Sequence, residues 1–199
     1  TISKNAVERY TPWLADYKSI SVREESGADI VEEITGMRPK VVIDPVFLLS
    51  PKEWRALTNA RNDITGKFVF LYMLQNDSIV LSIPKKKANE LGLRLIVSLT
   101  ESKDIQDSSI IQLKDIGPRE WMWLIDNAVL MITTSFHGTA FSLIFNTPFV
   151  VLQDDKKNTN SRITDMLKSL DLEPNIISVY DGVRIGPIEQ YSSHNYETT

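Results

Sequence analysis

His137 is the residue best suited to acid–base chemistry in this 199-residue sequence. It is one of two histidines, and it lies in the run Thr133-Thr134-Ser135-Phe136-His137-Gly138-Thr139. A histidine at such a position can act as a general acid or base near neutral pH, or donate a hydrogen bond to a phosphate or carboxylate. It can equally cap a turn and pack beneath the next loop. Position alone favours neither interpretation.

Small and hydroxyl-bearing residues flank His137 and are candidates for binding a ligand. Ser135 can cap the helix that follows. Such helix N-termini also bind anions, because their unpaired N–H groups and the helix dipole point outward together. Gly138 indicates that the backbone approaches something closely, either a ligand or a neighbouring strand. Ser135, Gly138 and Thr139 are therefore candidate substrate-binding residues.

Two arginines and an asparagine are candidates for binding an anion. Arg23 ends the first predicted strand, whereas Asn158 and Arg162 follow the apolar run at residues 149–152. The C-terminal ends of parallel strands share one edge of a sheet, so these side chains are expected at the same edge as His137. Arginine suits bidentate binding of a carboxylate or phosphate. The alternative for each arginine is a charge exposed to water on the surface.

A strand, a turn, a helix and a second strand position these residues. Residues 128–132 form a continuous apolar run of the kind that a buried parallel strand needs, and residues 147–152 contain a second such run. The helix-length segment between them begins with the polar residues around His137. Polar residues at the C-terminal end of a strand mark the place where open α/β sheets bind ligands.

Strands and helices alternate along the whole sequence. The pattern predicts further strands at residues 19–23, 41–43, 68–74, 93–98, 110–113 and 176–180, and further helices at residues 5–17, 24–36, 50–59, 77–91, 118–127 and 161–171. This alternation predicts an α/β fold with a Rossmann-like, mostly parallel sheet flanked by helices. We expect one domain over residues 1–199, with a frayed tail at residues 192–199.

The composition excludes several classes of function. Hydrophobic residues make up 42% of the chain and charged residues 24%, and a net charge of −4 gives no reason to expect a nucleic-acid partner. The absence of cysteine excludes disulfides and suits a reducing compartment. No apolar run reaches the roughly 18 residues of a membrane span. We therefore expect a cytoplasmic protein without a membrane span, and a peripheral position at a membrane is compatible with the sequence.

The usual cofactor and metal motifs are missing from the sequence. No G-x-G-x-x-G follows a strand, G-x-x-x-x-G-K-[ST] does not occur, and no cluster of histidine and carboxylate residues has the spacing of metal ligands. We therefore expect no metal and none of the dinucleotide or nucleoside-triphosphate cofactors that those motifs hold.

Three groups of residues together carry a family resemblance. Ser135-Phe136-His137-Gly138-Thr139, followed by residues 141–146 and Pro148-Phe149, resembles the signature of the polysaccharide pyruvyl transferase family. Residues 20–27, then residues 41–45 with Leu48, Leu49 and Trp54, resemble the segment that opens the C-terminal half of that family. Asn158, Ser161-Arg162-Ile163 and Leu167 resemble its later helix. The matches occur in the expected order from about residue 19 to residue 172.

The resemblance implies a fold similar to one half of the glycosyltransferase B architecture, in which two Rossmann-like domains face a cleft. This chain would be the C-terminal half, which agrees with a sequence that begins at Thr1 rather than Met, and the N-terminal half of the same protein would be its partner. The implied activity is transfer of a pyruvyl group from phosphoenolpyruvate to two hydroxyls of a sugar as a ketal. The implied acceptor is a sugar residue of a surface polysaccharide or exopolysaccharide, or of the lipid-linked precursor of such a polymer. The implied reaction needs no cofactor besides phosphoenolpyruvate as donor.

The resemblance also implies roles for the candidate residues. His137 would be the catalytic acid, and Arg23 and Arg162 would hold the carboxylate and phosphate of the donor. The remaining substrate-binding candidates would be Ser135, Gly138, Thr139 and Asn158. Several members of the family carry an arginine two residues before the histidine, where this sequence has Ser135. That positive charge is therefore lost, or it is supplied by Arg23, Arg162 or the N-terminal half.

Two other functions remain open at this point. A glycosyltransferase of similar architecture would keep the fold and use a sugar nucleotide as donor. A non-catalytic glycan-binding domain would bind sugar without any donor, and Ser135 in place of an arginine keeps this alternative open.

Overall fold

The structure is a computed structural model that describes residues 3–73, 78–99, 105–154, 161–180 and 185–192. Contacts along the chain divide it into two compact units, Thr1–Leu48 and Leu49–Thr199. The larger unit contains a six-stranded sheet, and the smaller unit contains a sheet of two strands. The single domain expected from the sequence stays a prediction.

The first unit consists of two helices and a short sheet. Helix α1 spans Lys4–Ala15, strand β1 Ser21–Val22, helix α2 Glu25–Thr35 and strand β2 Lys40–Val41, and a 3-10 helix spans Pro45–Leu48. β1 and β2 are parallel, with Ser21 opposite Lys40. Gly36 ends α2 at φ 72°, the left-handed conformation that glycine adopts without strain. The sequence places the end of this helix correctly.

The second unit alternates strands with helices. In order these are α3 Pro51–Ala56, β3 Phe68–Met73, α4 Ser78–Glu90, β4 Arg94–Leu99, β5 Ile110–Leu113, α5 Pro118–Asn127, β6 Leu130–Thr133, α6 Phe136–Phe145, β7 Phe149–Gln153, α7 Ser161–Lys168 and β8 Ile176–Ser178. Two 3-10 helices, Glu173–Asn175 and Ile188–Tyr191, flank β8. All strand pairings in the sheet are parallel.

The strand order β5-β4-β3-β6-β7-β8 creates a topological switch point between β3 and β6. From β3 the chain moves outward to β4 and β5, and it then returns to β6 and continues to β7 and β8 on the other side. The C-terminal ends of β3 and β6 therefore flank a crevice of the kind in which open α/β sheets bind ligands. The predicted α/β fold, with a parallel sheet flanked by helices, is confirmed.

The central strands are buried on both faces. Phe70 and Leu71 of β3, Ile132 of β6 and Val150 of β7 are fully inaccessible to solvent. Helices on both sides of a parallel sheet require such continuous apolar strands, which explains why these runs show no polar alternation.

Candidate functional site

Helix α6 is fixed at the end of β6, and its first turn faces outward. Ser135 is the N-cap, and its Oγ accepts a hydrogen bond from the Gly138 N–H at 3.5 Å. Asn146 ends the helix at φ 58°. The eight residues from Gly138 to Phe145 are all buried, whereas His137 is exposed. The core therefore holds the helix in place, and the imidazole of His137 is left accessible at its N-terminus.

Thr133 joins β3, β6 and the start of α6. Its Oγ1 donates a hydrogen bond to the Tyr72 carbonyl oxygen at 2.9 Å and accepts one from the Ser135 N–H at 3.0 Å. Thr133 is fully buried, so water does not compete for either bond. One hydroxyl therefore sets the position of the α6 N-terminus relative to the switch point of the sheet.

Gly138 is required by the neighbouring strand. A Cβ at this position would lie 2.5 Å from Oγ1 and 3.0 Å from Cβ of Thr133. Real Cβ atoms do not approach other atoms so closely, so α6 packs against β6 at a distance that only glycine permits. The close approach of β6 therefore explains why a glycine is needed here, and no ligand has to be invoked.

The hydroxyl of Thr139 also forms a hydrogen bond at the start of α6. The residue is fully buried, and its Oγ1 donates a hydrogen bond to the Ser135 carbonyl oxygen at 3.0 Å. Ser142 repeats the pattern one turn later, donating to the Gly138 carbonyl oxygen at 2.8 Å. The proposed contact of Thr139 with substrate stays a prediction, and its observed hydroxyl bond is internal to the helix.

A cavity of about 650 Å³ opens at the C-terminal edge of the main sheet. It brings together three residues that the sequence predicts for the site: Ser135, His137 and Arg162. The topological switch point between β3 and β6 lies at the same edge, which agrees with the general placement of ligands in such folds.

Phe136 contacts two of the candidate residues of the cavity, Arg162 and His137. The guanidinium carbon of Arg162 lies 4.3 Å from the centre of the Phe136 ring. The imidazole of His137 meets the same ring edge to face, with ring centres 5.5 Å apart. A guanidinium over an aromatic face is attracted by the ring quadrupole. Phe136 therefore places Arg162 and His137 around one ring at the N-terminus of α6.

Two aromatic side chains in contact with each other also line the cavity. Tyr72, near the end of β3, meets Trp121 of α5 edge to face with ring centres 5.2 Å apart. Trp121 in turn packs edge to face on Phe141 of α6 at 5.5 Å. Burial raises the pKa of the Tyr72 hydroxyl above its ordinary value, so this group stays protonated and can donate a hydrogen bond.

Several cavity residues were missed by sequence reasoning. Besides Tyr72 and Trp121, these include Ser98 of β4 and Lys114, which follows β5. Their common signal is position, because Tyr72, Ser98 and Lys114 all lie at or just after the C-terminal ends of parallel strands. Lys114 is a further positively charged side chain in the lining of the cavity.

Arg23 belongs to the first unit and is held there by a buried carboxylate. Its Nη1 donates to Oδ2 of Asp44 at 2.5 Å, and the Asp44 side chain is only 3% exposed. The other oxygen of Asp44 accepts a hydrogen bond from the Val46 N–H at 3.1 Å. The proposed anion-binding role of Arg23 stays a prediction. Asn158, the last candidate, lies outside the described residues.

The described part of the chain has neither a cluster of metal-ligating residues nor a helix that could span a membrane. Across residues 3–73, 78–99, 105–154, 161–180 and 185–192, no three histidine, cysteine, aspartate or glutamate residues gather in a way that could hold a metal ion. Among the same residues, no helix has the length and apolar character to cross a membrane. The expectations of no metal, no cofactor and a cytoplasmic location stay predictions.

Comparison with known families decides which one this chain belongs to. The sequence model of the family described as polysaccharide pyruvyl transferase matches residues 1–155. The chain belongs to the polysaccharide pyruvyl transferase family. The match includes Arg23 and the whole segment from Ser135 to Thr139, and it ends before Arg162. No curated protein matches the chain in sequence.

Solved structures show where else this family's fold occurs. A UDP-GlcNAc 2-epimerase of Methanocaldococcus jannaschii, in complex with UDP-GlcNAc and UDP, is similar over 75% of this chain and 48% of its own, with 15% identity and a TM-score of 0.53. A structure described as the glycotransferase of kitacinnamycin is similar over 98% of this chain and 54% of its own, with 11% identity and a TM-score of 0.50. The chain spans about half the length of each. These likenesses confirm the Rossmann-like, glycosyltransferase B-like fold.

Proposed function

We propose that the cavity beside His137 binds phosphoenolpyruvate and supports pyruvyl transfer to a sugar. The observation that carries this proposal is the placement of His137 and Arg162 around Phe136 at the N-terminus of α6. An exposed acid, a guanidinium and a helix N-terminus suit a small ligand with two anionic groups. Membership of the transferase family supports the same reaction class.

Different protein groups bind the carboxylate and the phosphate of phosphoenolpyruvate. Arg162 offers paired N–H donors in the planar arrangement that matches a carboxylate or a phosphate. The first backbone N–H groups of α6 point out of the helix beyond Ser135 and attract the second anion. Lys114 adds a further charge to the lining of the cavity. These groups make the missing arginine two residues before His137 dispensable for donor binding.

The reaction requires a proton at carbon 3 of the donor before a hydroxyl can attack carbon 2. His137 in its protonated form delivers this proton, which leaves a cation-like centre at carbon 2. The first sugar hydroxyl bonds to carbon 2 and returns its proton to His137. The phosphate then leaves with its bonding electrons, and the second sugar hydroxyl takes its place and loses its proton to the departing phosphate. One phosphoenolpyruvate and one diol give one ketal and one inorganic phosphate.

The acceptor has room in the same cavity. A volume of about 650 Å³ lies within the range that holds a drug-sized ligand, so a three-carbon donor fills only part of it. The wall formed by Tyr72 and Trp121 offers an apolar face for a sugar ring. The neutral Tyr72 hydroxyl can donate to a sugar oxygen. A glycan or lipid-linked saccharide as acceptor, and a further domain of the same protein as partner, are parts of this proposal.

Acceptor-dependent release of phosphate from phosphoenolpyruvate tests the proposal. The intact protein is incubated with phosphoenolpyruvate and a panel of glycans, and phosphate is measured with and without acceptor. His137→Ala should abolish the release, whereas His194→Ala, which alters the other histidine of the sequence, should leave it unchanged. Equal release by His137→Ala and the unmodified protein would remove His137 from the mechanism.

The size of the cavity also favours one alternative, a glycosyltransferase that uses a sugar nucleotide. A nucleotide sugar would fill about 650 Å³ more completely than phosphoenolpyruvate. Calorimetric titration of the intact protein with each donor separates the two functions. Binding of phosphoenolpyruvate that is lost in Arg162→Ala supports pyruvyl transfer, and binding of a nucleotide sugar alone supports the alternative.

A further inference from the structure

The indole N–H of Trp121 has no hydrogen-bond partner among the residues that the structure describes. Its Nε1 atom is buried from solvent and donates to no protein atom. Trp121 nevertheless belongs to the lining of the cavity of about 650 Å³ beside His137. A buried donor without a partner is rare in folded proteins and costs stability, because it has lost water without gaining another acceptor. This N–H is therefore a candidate for contact with a ligand.

The indole is surrounded by other aromatic rings. It meets Tyr72 and Phe141 edge to face, with ring centres 5.2 and 5.5 Å apart. Phe141 in turn meets Trp54 of α3 at 4.9 Å. Aromatic rings accept hydrogen bonds only weakly, so these contacts hold the indole in place without replacing an oxygen acceptor. An oxygen atom of a bound molecule would satisfy the N–H.

Two neutral hydroxyls line the same cavity. Tyr72 of β3 and Ser98 of β4 are direct partners across the parallel strand pair, and both belong to the cavity lining. Adjacent strands lie about 4.8 Å apart, and partners in a parallel pair point to the same face of the sheet. The two side chains therefore stand next to each other on the face that bears the cavity. Burial raises the pKa of the Tyr72 hydroxyl, so both groups are uncharged and can donate as well as accept.

The polar atoms of Trp121, Tyr72 and Ser98 carry no charge, which suits them to a different ligand group from the cations of the cavity. Arg162 and Lys114 also line the cavity, and their charges match the anionic groups of the donor. A sugar ring has apolar C–H faces and a rim of hydroxyls. Flat aromatic side chains beside neutral donors and acceptors match both features.

We propose that Trp121, Tyr72 and Ser98 form a subsite that selects an uncharged sugar as the acceptor, and that the Trp121 N–H donates a hydrogen bond to a sugar oxygen. This inference rests on the proposed pyruvyl transfer and names the acceptor class for the same cavity. Because the N–H is buried in the free protein, the indole turns toward the cavity when the sugar binds. A molecule without a suitably placed oxygen leaves the N–H unsatisfied, and the subsite therefore discriminates against it.

The NMR signal of the Trp121 indole N–H tests this subsite directly. Protein labelled with ¹⁵N is titrated with uncharged oligosaccharides of glucose, galactose and mannose, in the presence and absence of phosphoenolpyruvate. At least one of these sugars should shift the Trp121 signal and leave that of Trp123 unchanged. Trp123 is the matched control, since it lies on the same helix but packs on Phe68 with ring centres 6.4 Å apart. A Trp121 signal that none of the sugars shifts would overturn the proposal.

Conservative substitutions give a second measurement. Trp121→Phe keeps an aromatic ring but removes the N–H, and it should weaken binding of the sugar by about threefold to tenfold. Ser98→Ala removes one hydroxyl and should have a similar effect. Both variants should bind phosphoenolpyruvate within about twofold of the unmodified protein, and Trp123→Phe should change neither affinity. A Trp121→Phe protein that binds the sugar as tightly as the unmodified protein would contradict the role of the N–H.

The two kinds of ligand separate this inference from the proposed function. Binding of phosphoenolpyruvate without any effect of the sugars on the Trp121 signal would remove the acceptor subsite and leave pyruvyl transfer in place. A sugar that shifts the Trp121 signal of a protein unable to bind phosphoenolpyruvate would keep the subsite and remove pyruvyl transfer. Tighter binding of acidic than of uncharged oligosaccharides would contradict the selection of an uncharged acceptor.

Discussion

The guanidinium of Arg162 lies over the ring of Phe136, 4.3 Å from its centre. Phe136 is the first residue of α6 and directly precedes His137. The contact therefore brings a cation from α7 to the helix terminus that carries the exposed imidazole. Donor binding in this account depends on that relationship, because Ser135 occupies the position at which several family members have an arginine.

Arg162→Ala should weaken binding of phosphoenolpyruvate by about tenfold to a hundredfold. Hydrogen bonds to charged groups contribute about 1.5–3 kcal/mol, and this substitution removes them together with the charge. The affinity of Arg162→Lys should lie between those of the unmodified protein and Arg162→Ala, since a lysine keeps the charge but loses the planar pair of donors. Calorimetry provides the measurement. Arg61→Ala is the control, because Arg61 pairs with Asp63 two residues away. Equal affinities for all of these proteins would rule Arg162 out.

Phe136→Leu should weaken donor binding through Arg162. The ring holds the guanidinium by a cation–π contact of about 0.5–2 kcal/mol, so its loss should cost about threefold to thirtyfold in affinity. The same substitution in an Arg162→Ala background should then have little further effect. A double-mutant cycle measures this coupling. Strictly additive effects would show that Phe136 does not act by positioning Arg162.

Gly138→Ala should lower the free energy of unfolding by about 1–3 kcal/mol. The added Cβ would lie 2.5 Å from Oγ1 of Thr133, so α6 must shift away from β6. Gly27→Ala is the matched control. It is also a helical glycine, but a Cβ there would meet its nearest atoms at 3.4 and 3.5 Å, which is ordinary contact. That variant should be unchanged or up to about 1 kcal/mol more stable. Urea unfolding of both variants measures these changes in the free energy of unfolding. A Gly138→Ala protein as stable as the unmodified protein would contradict the close packing of α6 against β6.

Alkaline destabilisation should depend on Tyr72. Burial raises the pKa of its hydroxyl above the ordinary 10.0, so the folded protein favours the neutral form. The stability that the neutral Tyr72 hydroxyl contributes is fully present at a pH below its ordinary pKa. It is lost as the pH rises through the raised pKa of the folded state, because the hydroxyl ionises first in the unfolded chain. Unfolding midpoints measured from about pH 8 to about pH 11 should therefore fall less steeply in Tyr72→Phe than in the unmodified protein. Tyr180→Phe, at a half-exposed position, should keep the full slope, and a Tyr72→Phe protein with the full slope would refute the assignment.

The sequence predicts the main sheet and the position of the site well. Apolar strands that end in polar residues can be recognised locally, so β3, β6 and β7 and the turn before α6 are visible without a structure. Helix caps are also local: at the start of α3 the Ser50 side chain accepts a hydrogen bond from the Glu53 N–H, and the Glu53 side chain accepts one from the Ser50 N–H. The same reasoning placed His137 at the edge of the sheet, where the structure shows it.

Features that depend on tertiary packing are harder to predict. Lys87 of α4 illustrates this, because a run of three lysines at residues 85–87 is typical of a solvent-exposed helix face. That residue is buried, and its Nζ donates to the carbonyl oxygens of Ile185 and Gly186 at 3.2 and 2.7 Å. Trp121 and Tyr72 form one wall of the cavity, but they are 49 positions apart and meet only through the strand order. Local pattern does not contain that information.

The fate of carbon 2 of phosphoenolpyruvate tests the central claim most directly. The intact protein is supplied with donor labelled at that carbon and with a glycan that supports phosphate release, and the glycan is then analysed by NMR. We expect the label to enter the glycan as a ketal carbon, one per phosphate released, and we expect His137→Gln to prevent both label transfer and phosphate release. Label that never enters the glycan, or that enters it equally with His137→Gln, would contradict pyruvyl transfer at this site.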